Sequence, residues 1–267
     1  MSWRLLEFDD RNLYEVAALP FMIAEEIEKG RSPKTVIFTT ERGISMGKIA
    51  SLSSINMEEC RKQSLPIVRY EISGDWGPCL SDENGLYFFS IYDTTDEKYS
   101  SDVREATRII VDSVISVCKS FGLSAERSGH RPDSNDVVID NRKICGITIT
   151  RSGNCIIGNF SFIVGFDFDL AEKVLKIPES KFDDKPYNNI RGWLTTLRGE
   201  LGREILIKEV RSAFIKSFED QYGMKLVGGT LTEIEEIKVR DRAEVYRTDD
   251  WLKYGKWSPV KDYWRPE

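Results

Sequence analysis

Histidine is almost absent from this 267-residue chain: His130 stands alone. A Ser-His-Asp triad or Cys-His dyad would have to use it, and it sits in the turn-rich stretch RSGHRPDSND, where a surface role fits better. Five cysteines, at 60, 79, 118, 145 and 155, are odd in number and form no CxxC spacing, so neither a disulfide framework nor a zinc site is expected. Reduced thiols suit a cytoplasmic protein. No apolar run reaches the ~18 residues of a membrane span, and the N-terminal MSWRLLEFDD lacks the apolar core of a signal peptide. There is no run of Lys and Arg either. The 38 basic and 44 acidic residues are well mixed and leave a net charge of −6, which argues against a nucleic-acid partner. Repeats, low-complexity tracts and long linkers are also missing. The expectation is one unit spanning 1–267, with 231–267 as a C-terminal helical and aromatic tail.

What is present is an irregular succession of helices and strands. Residues 12–29 carry an apolar helical face with Pro20 inside it and Gly30 as a stop. KTVIFTTERGISMG reads as two short strands around a turn at Glu41 to Gly43, and SSINMEECRKQS as a short helix starting at Ser54 or Asn56. LPIVRYEIS and LYFFSIYD read as strands flanking the glycine-containing loop SGDWGPCLSDENG, where open backbone amides could meet a ligand. The clearest helix is 101–121, with Val103, Ala106, Ile110, Val114, Val117 and Phe121 on one stripe. Further helices are expected in DLAEKVLK, in KEVRSAFIKSFEDQYG and from Thr232 onward. Strands cluster between helices without βαβ regularity, which predicts an α+β fold.

The stretch NDVVIDNRKICG raises a specific question. Val137-Val138-Ile139 is β-branched throughout, and ICGITIT is β-branched at alternate positions, so both predict strands. Asp140-Asn141 between them is turn chemistry. Lys143 therefore opens the second strand of a hairpin, where an ordinary lysine would simply be solvated.

The element order and this hairpin resemble the lipoate-protein ligase family, within the wider biotin and lipoate ligase group. Asn135, Asp136, Lys143 and Gly146 match that family's motif in place, and KIPESKFDDK and LTEIEE…VYRTDDWLKYG resemble later family segments. The resemblance implies a biotin/lipoate-ligase-like α+β fold of mixed sheets flanked by helices. It also implies ATP-dependent conversion of lipoate to lipoyl-adenylate and transfer of the acyl group to a lysine of an acceptor lipoyl domain. Both steps build negative charge on oxygen, which a fixed ammonium such as that of Lys143 would stabilise. By the same resemblance Arg69, Ser73, Gly74, Gly77, Asn135, Asp136, Gly146 and Asn159 would hold lipoate and the adenylate, with Asp136 facing an amino group or Mg2+. Family members of full length carry an accessory domain, and the chain ends at Glu267, too early for one; a separately encoded accessory chain is the expectation, or a variant working without one.

The glycine loop departs from the family. The family reads Arg-Arg-x-Ser/Thr-Gly-Gly-Gly-Ala-Val-x-His-Asp, whereas Arg69 to Asp82 is RYEISGDWGPCLSD, with Tyr70 for the second arginine and no histidine. Asp75 would repel a phosphate there, and Trp76 is either a lid or a core residue. Gly158-Asn159 stands where a second family histidine lies. Two alternatives stay open: a non-catalytic homologue acting as a binding or regulatory subunit, and a cysteine-dependent octanoyl or lipoyl transferase using Cys79, Cys145 or Cys155. The last needs a thiol whose pKa is lowered by a nearby cation.

Overall fold

A computed structural model describes residues 2–72, 77–82, 84–95, 101–129, 135–183 and 187–255. In chain order the strands are β1 Ser2–Phe8, β2 Thr35–Thr39, β3 Gly43–Met46, β4 Ile67–Arg69, β5 Cys79–Ser81, β6 Gly85–Asp93, β7 Glu126–Arg127, β8 Asp136–Ile139, β9 Arg142–Ser152, β10 Cys155–Ile163 and β11 Lys225–Gly228. The α-helices are α1 Leu13–Glu28, α2 Met57–Lys62, α3 Val103–Ser120, α4 Phe168–Val174, α5 Ile190–Trp193, α6 Leu197–Leu201, α7 Ile207–Tyr222, α8 Glu233–Tyr246 and α9 Asp249–Tyr254. Among the described residues the strands build an eight-stranded sheet, ordered β11-β1-β2-β6-β10-β9-β8-β7, and a three-stranded sheet, β4-β3-β5. The architecture is α+β with mixed sheets and flanking helices.

The large sheet is covered on both faces. On one face, Phe38, Phe88, Phe160 and Phe162 pack against Ile110, Val114 and Val117 of α3 and Phe214 and Phe218 of α7. Phe88 stacks on Phe218 at 4.3 Å and on Phe160 at 4.6 Å, so aromatic contacts lock α7 to the centre of the sheet. On the other face α1 packs on Leu6, Ile37, Phe89, Ile91 and Ile157. This helix is apolar almost all round, because the sheet lies under one side and Val239 and Tyr246 of α8 lie over another. Pro20 is carried inside it without ending it. Asn12 caps its first turn through Oδ1, which accepts from the N–H groups of Tyr14 and Glu15 at 3.1 Å each. The small sheet forms its own core with α4 and α5, around Ile44, Met46, Ile67, Leu80, Val174 and Leu194.

Several expectations meet corrections here. The two strands predicted in KTVIFTTERGISMG exist, but they do not pair: β2 belongs to the large sheet and β3 to the small one. Part of the predicted glycine loop is strand β5. Both β1 and β11 went unread. They pair in parallel, and β1-α1-β2 is a βαβ unit at one edge of the sheet. SWRLLEF shows neither β-branching nor clean alternation, because Arg4 is buried within it. That arginine makes a bidentate pair with Glu235 of α8, at 2.8 and 2.6 Å, and Glu235 also accepts from Ser32 Oγ at 2.7 Å. The predicted tail therefore contributes to the core along its described part, and 256–267 lie outside the described residues.

Glu235 is fully buried, so removing it strands a buried guanidinium. Glu235→Ala is expected to lower unfolding free energy by about 3–5 kcal/mol, read from the denaturant midpoint. A loss under ~1 kcal/mol, the scale of an exposed pair, would mean that α8 is detachable.

Candidate active site

The hairpin forms as its sequence predicts. Asp140 and Asn141 both take left-handed backbone angles, φ 49° and 62°, as a tight two-residue turn requires. The next residues do not follow simple alternation. The β8–β9 register runs Ile139↔Arg142 and Val138↔Lys143, then slips by one to Val137↔Cys145 and Asp136↔Gly146. Ile144 is the extra residue of a β-bulge, and Ile144 and Cys145 are both buried in the α3–α7 core. The slip reverses the parity of the strand. Lys143 shares a side with Gly146, three positions on, and not with Cys145, two positions on.

Lys143 Nζ lies 2.9 Å from Asp136 Oδ1. A Cβ added at Gly146 would meet Lys143 Nζ at 2.7 Å and Cε at 2.9 Å, so the lysine tip occupies the space that the glycine leaves. Nζ also lies 5.6 Å from the ring centre of Trp193, within cation–π range. The Lys143 carbonyl accepts from Thr195 N–H at 2.9 Å, which ties the strand to the segment after α5. Burial works against the charged ammonium, but the Asp136 carboxylate and then the Cys79 thiol outweigh it, so the pKa stands above the ordinary lysine value. The stability this lends is fully present below the ordinary lysine pKa and is lost only as alkaline pH rises through the raised one. At neutral pH the group is an ammonium.

Cross-strand partners share a face of a sheet, which places Asp136, Gly146, Ser161, Tyr87 and Thr39 in one row across five strands. The adjacent row on that face is Thr148, Asn159, Phe89 and Ile37. Along β10 the face reads Cys155, Ile157, Asn159, Ser161, Ile163, with apolar ends against the α1 and small-sheet cores and a half-buried polar centre between them. That centre, edged by Lys143 and Asp136, is the candidate site. Trp193 and Ser161 were missed by sequence reasoning. The interruption of an apolar side of β10 by Asn159 and Ser161 was a usable signal; nothing local marks Trp193, which arrives from a distant segment.

The other expected residues divide. Lys143, Asp136, Gly146 and Asn159 come together on one face. Asn135 precedes β8, and its Oδ1 accepts from Arg127 Nη2 at 3.2 Å. Gly77 is exposed with open space about it. Arg69, expected to serve the ligand, is 3% exposed and turned into the protein: Nη1 donates to the carbonyls of Gly47, Lys48 and Ala50 and Nε to that of Leu252, at 2.8–3.1 Å. Desolvation lowers its pKa. Four carbonyls with no local sequence mark recruit it to the scaffold. Ser73, Gly74, Asp75, Trp76 and His130 lie outside the described residues. Among the described residues no group of three or more His, Cys, Asp and Glu side chains is placed to hold a metal ion. Asp136 offers one carboxylate, so a divalent ion at this place would be held largely by phosphate oxygens. No helix among the described residues is long and apolar enough to cross a membrane.

The thiols are equally distinct. Burial pushes Cys145 well above the ordinary thiol range, against the pull of Lys143, and pushes Cys155 up to about 12. Cys79 is exposed and within electrostatic reach of Lys143.

Residues 12–219 match the family model described as lipoyl protein ligase A/B catalytic domain, and the chain belongs to that family. The octanoyltransferase LipM of Halalkalibacterium halodurans is 25% identical over 94% of this chain and 98% of the relative. Lipoate-protein ligase A subunit 1 of Thermoplasma acidophilum is 23% identical over 86% of this chain and 87% of the relative. Among solved structures, a lipoate-protein ligase A bound with ATP superposes with TM-score 0.80 at 21% identity, over 95% of this chain and 99% of the other. The bi-partite lipoate protein ligase of Thermoplasma acidophilum gives TM-score 0.81 at 22% identity, over 98% of this chain and 100% of the other. The fold is that of the lipoate ligases.

Native protein treated with iodoacetamide is expected to label at Cys79 well before Cys60, Cys118, Cys145 or Cys155, all four being buried. Peptide mass mapping over time checks the order, and early labelling of Cys145 would place its side chain in the site.

Proposed function

We propose that this chain is the catalytic part of a lipoate-protein ligase, which activates lipoate with ATP to lipoyl-adenylate and passes the acyl group to a lysine of a lipoyl domain. The observation that carries the reading is the Lys143 ammonium, held by Asp136 over Gly146 at the edge of a half-buried polar strip. In the first step a lipoate carboxylate oxygen bonds to the α-phosphorus while the bond to the pyrophosphate oxygen breaks. In the second the acceptor amine bonds to the acyl carbon and AMP leaves. Lys143 stabilises the oxygen charge in both steps, and Asp136 fixes its position. Asn159 and Thr148 supply polar contacts beside it. Mg2+ would enter with the nucleotide and neutralise phosphate charge, with Asp136 as its nearest protein carboxylate in this reading. The ATP in one structural neighbour, the lipoic acid in a second and the bi-partite ligase and lipoyl domain of a third support the choice of substrates, acceptor and a separate accessory chain.

A second reading is favoured by the relatives named octanoyltransferase and by the exposure of Cys79 beside Lys143. There the Cys79 thiolate would take an acyl group from a thioester, releasing the donor thiol, and then yield it to the acceptor lysine. Cys145 and Cys155 are too deeply buried for that task.

Pyrophosphate release from lipoate and MgATP separates these readings. The ligase releases pyrophosphate; Lys143→Ala should cut the rate by at least ~10²-fold with the fold kept, and Gly146→Ala should cut it less by displacing the ammonium. ATP-independent transfer of an octanoyl thioester that is lost in Cys79→Ser would replace the ligase reading with the transferase one. Full-rate lipoylation of an acceptor domain by this chain alone would remove the need for an accessory chain.

A further inference from the structure

Glu41 is 4% exposed and lies between the ends of two outer strands of the small sheet. Its Oε2 accepts from Tyr70 Oη at 3.2 Å, just beyond β4, and its Oε1 accepts from Ser81 Oγ at 2.9 Å, at the end of β5. Tyr70 and Ser81 lie near the two ends of the Arg69–Asp82 segment that departs from the family pattern. The Tyr87 hydroxyl lies within reach of the Ser81 and Ser161 side chains; Ser161 is the cross-strand partner of both Tyr87 and Gly146, over which the Lys143 ammonium sits. A row of hydroxyls thus runs from a buried carboxyl group toward the candidate site. Ser81 gives its proton to Glu41, which leaves its oxygen lone pairs for the Tyr87 hydroxyl.

We propose that Glu41 is a positioning residue for ligand binding at the Lys143 site, acting through Ser81, Tyr87 and Ser161. The proposal deepens the ligase reading and rests on it for the identity of the ligand. As a carboxylate, Glu41 accepts from both Tyr70 and Ser81 and fixes the direction of every bond in the line. Once protonated it must donate as well as accept, and the direction is lost.

The group is poised to titrate. Burial raises its pKa to about 7, with the hydrogen bonds from Ser81 and Tyr70 opposing. Among the described residues, Tyr70 after β4 bonds it and Tyr87 of β6 feels its charge, with Asp82 after β5 acting on Tyr87 and Tyr246 of α8 acting on Tyr70. The tyrosines have raised pKa values and remain donors throughout, and Arg42 beside it in sequence is exposed. An acid with a raised pKa lends stability that is complete below its ordinary pKa of 4.5 and is lost as pH rises through about 7. Folding thus favours the protonated form and ligand binding the ionised one.

The test uses the full-length protein, the isosteric Glu41→Gln variant, and a nonhydrolysable lipoyl-adenylate analogue. Parent affinity is expected to rise by about five-fold between pH 6 and 8, the worth of roughly one hydrogen bond, and Glu41→Gln should flatten the profile. Tyr70→Phe removes a bond that holds the pKa down, so the midpoint should move to higher pH. Lys143→Ala should weaken binding at every pH and leave the step. In the same range the melting temperature of the parent should fall relative to Glu41→Gln. A step that survives in Glu41→Gln, or a melting shift with a flat binding profile, overturns the positioning role. If the analogue fails to bind the parent at any pH, the ligase reading falls. The link to the site is then read from the amide resonances of Gly146 and Ser161 in labelled protein: titration near pH 7 that is absent from Glu41→Gln upholds it, and its absence in the parent overturns it.

Discussion

Between Val137 and Val138 the ladder of the β8–β9 hairpin slips by one residue, and the arrangement of the candidate site follows from that slip. A strand alternates its side chains, so without it Lys143 and Cys145 would share a face and Gly146 would lie on the other. With it, Ile144 and Cys145 both enter the core under α3 and α7. Burying two consecutive apolar side chains offsets the unpaired backbone of the bulge, since each contributes on the order of 1–3 kcal/mol. The core thereby pins the register, and the register points the lysine at the opposite face. A one-residue change in pairing would exchange an ammonium for a thiol at the site.

The polar strip depends on this placement. A sheet with both faces covered has little tolerance for unpaired polar groups, yet Asn159 and Ser161 sit midway along β10 between apolar neighbours on the same face. They are half-buried because the α1 core ends on one side of them and the small-sheet core begins on the other. Lys143 adds a charge to that gap. Its ion pair with Asp136 and its approach to the Trp193 ring compensate the desolvation that a lone ammonium would suffer. Gly146 leaves room for it, and the hydroxyl line from Ser161 toward Glu41 continues the same polar row into the small sheet.

The family holds both ligases and transferases, and the fold alone does not choose between them. The distinction rests on which group receives the acyl chain. Of the five thiols only Cys79 is exposed, while Lys143 stands at the edge of the strip with its pKa raised above the ordinary lysine value. Arg69 illustrates the complementary point. A basic residue at the end of β4, in a segment that resembles a ligand-binding one, is held by carbonyls of Gly47, Lys48, Ala50 and Leu252, and its place is structural.

The sequence by itself determined the local elements whose causes are local. The helix within 12–29, the stripe of α3, the Asp140-Asn141 turn and the strands around it were legible because periodicity and turn chemistry act over a few residues. Its resemblance to the lipoate-protein ligase motif also marked Asp136, Lys143 and Gly146 as belonging together. Tertiary structure decided what depends on distant partners. It made β1 and β11 strands through parallel pairing, which no alternation announces, and it sent β2 and β3 to different sheets. It turned Arg69 inward and brought Trp193 to the lysine. It also placed Lys143 and Cys145 on opposite faces, because the parity of a bulged strand is set by which side chains the core can bury, and that is a property of the packed molecule and not of the segment.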